Sequence, residues 1–190
     1  MTAHADEIVR NGSYTVRAGQ TIDGDLLVRG GTVTISGTVK GNVRQSGAGT
    51  VRITGSGLVE GNVKETGSGT VLVEAGGEIK GNLIERHTGD VRVYGTIAGN
   101  IAERESGDLR VGGVVEGNIS ETSSGRVVLG GRAVVDGNVY ESGDDGLILG
   151  SRTHVDGDVT ETGSGNLLRY RGSSVEGDVK ERDAGRVIVR

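Results

Sequence analysis

A phrase built as apolar-x-Gly-Asn/Asp-apolar recurs along nearly the whole chain, as in Val59-Glu60-Gly61-Asn62-Val63. Its glycine falls at Gly24, Gly41, Gly61, Gly81, Gly99, Gly117, Gly137, Gly157 and Gly177, at spacings of 17, 20, 20, 18, 18, 20, 20 and 20 residues. That period is too short for a helix pair and suits one coil of a β-solenoid. Each unit buries its apolar face only against its neighbours, so the repeat implies a stacked rod.

Composition points the same way. The chain has 190 residues, 37 of them Gly, with no Pro and no Cys. Aromatic residues are 2% and hydrophobic residues 33%, mostly Val, Ile and Leu. A core built on large side chains is therefore excluded, and the β-branched bias favours strands. The net charge of −5 argues against a nucleic-acid or anionic-membrane surface, which needs clustered Lys and Arg. Without Cys there is no disulfide, thiolate metal site or Cys nucleophile, which fits a reducing compartment. No apolar run approaches the ~20 residues of a membrane span. The opening Met-Thr-Ala-His-Ala-Asp-Glu has neither the basic nor the apolar part of a secretory signal. We expect a cytoplasmic protein with no integral membrane segment.

Residues 1–13 lie outside the repeat and read as a flexible N-terminal tail, leaving 14–190 as one solenoid domain. Each coil divides into two halves. The tenth and twelfth residues after the phrase glycine are apolar, as in Val71/Val73, Val91/Val93 and Leu147/Leu149, with Leu167/Arg169 the exception. The other half varies by two residues, which preserves the in/out alternation of a strand. Around the glycine, alternate positions are apolar or small, as in Gly77, Ile79, Gly81 and Leu83. Stretches such as Thr66-Gly67-Ser68-Gly69 are turns by composition. We read three short strands per coil and no helix. The expected fold is all-β: a single-stranded parallel β-helix of eight to nine coils of 17–20 residues. With strands ~4.8 Å apart the rod is roughly 40 Å long.

Three columns run along it. The glycines, Gly61, Gly81, Gly99, Gly117 and Gly137 among them, point into a narrow interior or serve a corner that needs a permissive backbone. The next residues, including Asn62, Asn82, Asn100, Asn118 and Asn138, form a ladder of side-chain hydrogen bonds and tolerate left-handed corners. The third column is Gln45, then Glu65, Glu85, Glu103, Glu121, Glu141, Glu161 and Glu181. Strict alternation points these carboxylates inward, where a file of charges ~4.8 Å apart is prohibitive unless protonated or metal-bound. The expectation is that the strand turns just after the apolar residue and frees each Glu to solvent. The sharper alternative is a cation ladder, or a strip for a basic partner, along one edge, which predicts calcium-dependent melting.

Catalytic chemistry is thin. His4, His87 and His154 are scattered, no Ser-His-Asp set stands at recognisable spacing, and no corner is long enough to wall a groove. We expect no enzyme, no cofactor, no catalytic residue and no metal site.

Coils of this form resemble the bactofilins, polymer-forming cytoskeletal proteins. The resemblance covers Tyr14 to Arg190, and the run Tyr14-Thr15-Val16-Arg17-Ala18-Gly19-Gln20-Thr21-Ile22-Asp23-Gly24-Asp25 looks like that family's approach to its first coil. It implies a right-handed, three-sided β-helix and nonpolar filaments formed end to end without nucleotide, acting as scaffolds. The longer Ser/Thr-Gly corner and the Glu column differ from the usual pattern of that family.

The functional expectation is a self-assembling scaffold whose chief partner is itself, with client proteins unidentified. The end coils offer unpaired backbone groups, so the expected assembly edges are Tyr14, Val16, Leu26, Val28, Val187 and Val189. The alternative is a monomeric or surface-located binding or adhesion module that meets a partner through the Glu edge or the outward face, with cation binding along the Glu ladder.

Overall fold

A computed structural model describes residues 7–190. Among these residues there is no helix, and the chain winds as a three-sided parallel β-solenoid of about nine turns. Sheet A runs from Ile8–Asn11 to Val179–Asp183, sheet B from Tyr14–Val16 to Val187–Val189, and sheet C from Thr21–Ile22 to Ser174–Val175. Each strand pairs in parallel with its counterpart one coil away, so every repeat position forms a column.

Sequence dictates the winding locally. In Thr70–Val73 the alternation places Val71 and Val73 inside and leaves Leu72 half-exposed outside. At the corner Val59-Glu60-Gly61-Asn62-Val63 the two valines face inward on different sheets, and the three residues between them make the bend. The two-residue variation falls between sheets B and C: four residues join Val73 to Glu78, but only two join Val93 to Thr96. The interior is a continuous aliphatic column that includes Ile53, Ile79, Leu83, Ile97, Leu109 and Leu129, all fully buried. Burying one such side chain stabilises by roughly 1.5–3 kcal/mol, while ordering one backbone residue costs about 1–2 kcal/mol. A single coil cannot hold itself on those terms, so stability comes from stacking.

Two sequence expectations are corrected here. The solenoid begins before Tyr14: Ile8–Asn11, assigned to the tail, pairs with Leu26–Arg29 as the first strand of sheet A. The rest of the expected tail, with His4, lies outside the described residues. Leu26 and Val28 are consequently fully buried beneath that strand and are not an edge. The Arg169 exception is half-buried near the far end, where its guanidinium donates to the Ser173 hydroxyl at 3.2 Å and the Ser173 carbonyl at 3.2 Å.

Candidate functional site: a buried carboxyl file and two open ends

The phrase glycines from Gly41 to Gly157 sit half-buried at the A-side corner, Gly24 is buried and Gly177 exposed, and none adopts a left-handed backbone. Close stacking is what requires them. A Cβ at Gly61 would lie 2.6 Å from the Gly41 carbonyl oxygen, and the same contact recurs at Gly81, Gly99, Gly117 and Gly137. The asparagines do not use left-handed backbone either. Their side chains form a ladder: Asn62 donates to the Asn42 Oδ1 from its backbone N–H at 2.9 Å and from Nδ2 at 3.0 Å. The pattern repeats through Asn82, Asn100, Asn118 and Asn138. Toward the far end Asp158 continues the column, and the Asp178 N–H donated to it holds its carboxyl below the usual range. Asn100→Ala leaves two donors of Asn118 without their acceptor. At about 1 kcal/mol per hydrogen bond, thermal melting should fall by a few degrees, roughly 2–6 °C.

The third column overturns the expectation of solvent-facing glutamates. Glu65, Glu85, Glu103, Glu121, Glu141 and Glu161 are each 0% exposed, and Gln45 is 1% exposed. The column is therefore an internal file, not an edge that a basic partner can reach. Room for it comes from the Ser/Thr-Gly corner between sheets A and B. A Cβ at Gly69 would stand 2.8 Å from Glu65 Oε1, and one at Gly89 would stand 2.8 Å from Glu85 Oε1. Each glycine leaves the space that the carboxyl of its own coil fills.

As carboxylates these groups are starved of donors. Gly89 N–H donates to Glu85 Oε1 at 3.0 Å. Both oxygens of Glu65, Glu103, Glu121, Glu141 and Glu161 are buried and make no hydrogen bond among the described residues. Protonation would satisfy them, because a carboxylic acid donates a hydrogen bond where a carboxylate only accepts. Burial, reinforced by hydrogen bonds and repulsion from the neighbouring glutamates, pushes Glu65 up to about 8 and Glu103 up to about 10. Burial raises Glu121, Glu141 and Glu161 to about 7. Burial also raises Glu85, opposed by the neighbouring Glu103 and Glu65 and by the Gly89 N–H that donates to it. Gln45, at its head, is the neutral isostere of a protonated Glu, and its Nε2 lies 3.3–3.4 Å from the carbonyls of Gly31, Ser46, Gly47 and Ala48.

The file runs out at Glu181, which is half-buried in the last coil. Beside it Val187 is 45% and Val189 64% exposed, although both hold interior positions of their columns. At the other end Tyr14 is half-buried and Val16 fully buried, and Arg10 lies over the Tyr14 ring at 4.9 Å.

One grouping has no signature in linear sequence. His154 Nε2 lies 2.7 Å from Asp156 Oδ1 and 3.7 Å from Glu176 Oε1, on the outside of the rod. Asp156 is two residues away in the same coil, and the coil-to-coil register brings up Glu176, twenty-two residues away. His87 pairs with Glu105 in the same manner at 2.8 Å.

A comparison with models of known protein families found no match. Comparisons with curated proteins and with solved structures found none either.

Proposed function

We propose that the chain is a non-enzymatic structural protein that assembles end to end into filaments, without nucleotide, and serves as a scaffold. The observation that carries this reading is the in-register parallel stack, in which the edge of each coil pairs with the next and, among the described residues, Val187 and Val189 are 45% and 64% exposed. Unpaired parallel edges template pairing with another chain. Covering the two valines contributes roughly 1–2 kcal/mol each, before any backbone hydrogen bond is counted. The likeness of the coil phrase to that of the bactofilins supports the same reading.

The rival reading, a binding or adhesion module, keeps the outward faces of the rod but not a Glu edge, because that column is inside. The test is assembly of purified protein followed by light scattering and negative-stain microscopy. The native chain should form filaments as concentration rises. The V187K/V189K variant should remain monomeric with an unchanged β-type circular dichroism spectrum. A native protein that stays monomeric at high concentration would overturn the proposal.

A further inference from the structure

The outward side of sheet C carries a donor set that neither the stacking of the coils nor the carboxyl file uses. Alternate residues of an extended segment share a face. In His154-Val155-Asp156 the valine is fully buried, so His154 and Asp156 are left together on the outside. Val155 pairs with Val175 one coil on, which stacks Glu176 on Asp156. One imidazole nitrogen and two carboxylate oxygens are thereby held within 4.8 Å of one another. His154 is half-buried in its own column between Val134 and Ser174, which limits where its ring can turn.

The acidic column at this site is out of charge balance. The residue after the inward side chain of each sheet C strand is, in order, Asp23, Lys40, Glu60, Lys80, Ala98, Glu116, Asp136, Asp156 and Glu176. In the early coils acid and base alternate, and Lys40 pairs with Asp23 and Lys80 with Glu60. In the later coils four acids follow one another at a spacing of ~4.8 Å, and like charges so placed repel. Among the described residues none of the four has a Lys or Arg partner, and His154 is the one basic group that meets any of them.

We propose that His154, Asp156 and Glu176 bind a divalent cation of the zinc class. The ion ties two successive coils together across sheet C and offsets the charge of the column. An imidazole nitrogen with two carboxylate oxygens suits Zn2+ and its neighbours Co2+ and Ni2+, whereas Ca2+ and Mg2+ take oxygen ligands. Bonds of about 2.0–2.2 Å to a tetrahedral ion set the donor atoms roughly 3.2–3.6 Å apart. His154 Nε2 and Glu176 Oε1, at 3.7 Å, stand close to that separation. His154 Nε2 and Asp156 Oδ1, at 2.7 Å, reach it by a small rotation of the exposed carboxylate. Three protein ligands leave a fourth position that faces solvent and takes water. The sequence expectation of no metal site rests on the scatter of the three histidines. Here one histidine suffices, because the register supplies the second carboxylate. His87 is the internal comparison: its Nδ1 meets Glu105 Oε2 at 2.8 Å, and among the described residues no second carboxylate completes a set there. The proposal does not depend on end-to-end assembly.

The test uses the full chain without an affinity tag, stripped with chelator and titrated with Zn2+ by calorimetry and with Co2+ by visible absorption. The native chain should take up one ion in a saturable site. H154A and E176Q should each weaken binding by about tenfold or more, while H87A should bind as the native chain does. Zn2+ at about a hundred times its Kd should raise the melting temperature of the native chain by roughly 5–10 °C, and that rise should be lost in E176Q. Ca2+ and Mg2+ at the same concentration should not produce it. All three ligands lie on the surface, and melting curves in chelator, which should be no lower for the variants than for the native chain, separate lost binding from lost folding. Absence of saturable binding, or binding that H154A and E176Q leave intact, overturns the proposal and reduces the group to an ordinary ion pair. A site that takes Ca2+ as readily as Zn2+ overturns the assigned class of ion.

Discussion

Raising the pH from 5 to 8 should lower the melting temperature of the rod, and Glu103→Gln should remove part of that loss. In the unfolded chain the file glutamates titrate near 4.5, whereas in the folded chain Glu65 is raised to about 8, Glu103 to about 10, and Glu121, Glu141 and Glu161 to about 7. The folded state therefore holds protons that the unfolded state has released. Stability from this source is fully present below pH 4.5 and declines as pH rises through 7 to 8 and beyond. Each retained proton makes the unfolding free energy fall by about 1.4 kcal/mol per pH unit. Two or more retained protons correspond to a drop of roughly 5–10 °C per pH unit for a chain of this size. Glu103→Gln keeps the shape of the protonated side chain without its titration, as Gln45 already does. The variant should melt higher than the native protein at pH 8, with the gap closing toward pH 5. A melting temperature that rises with pH, or a Glu103→Gln protein less stable than native at pH 8, would show that the file is ionised and held by something other than shared protons.

The second large effect concerns the glycine column. Gly99→Val should abolish cooperative folding or cost on the order of 4–5 kcal/mol. A Cβ there would lie 2.5 Å from the Gly81 carbonyl oxygen, and that atom is backbone with no freedom to yield. Because the coils are in register, a local shift breaks the ladder on both sides. Gly130→Val is the control. It has no atom within 4 Å of the added Cβ and no left-handed backbone, so it should be tolerated. Expression followed by far-ultraviolet circular dichroism and thermal melting separates the two. Equal stability of both variants would refute the stacking argument.

The period, the three strands per coil and the apolar pairs such as Val71/Val73 were legible in sequence because alternation and spacing are local signals. The glutamates were legible as a column but not as an interior. Alternation pointed them inward, and the cost of burying charge pointed them outward. The second argument assumed ionised side chains, and the structure follows the first. The longer Ser/Thr-Gly corner and the Glu column, which read as two separate differences from the bactofilin pattern, are one feature: Gly69 and Gly89 make room for Glu65 and Glu85. Ile8–Asn11 escaped notice because its coil lacks the Gly-Asn/Asp phrase that marks all the others. The approach of Glu176 to His154 and Asp156 was invisible because register, not spacing, creates it.

The parallel sheets also decide how the rod carries force. Its strands lie across the long axis, and the backbone hydrogen bonds between coils, such as Val63 N–H to Asn82 carbonyl at 2.9 Å, point along it. Bending and compression are shared by three sheets at once. Tension applied at the two ends falls on the hydrogen bonds of one coil at a time, so an end coil peels first. Each twenty-residue coil that opens then pays out roughly 60–70 Å of extended chain. A rod built this way is a stiff strut that, when overstretched, lengthens in steps instead of snapping.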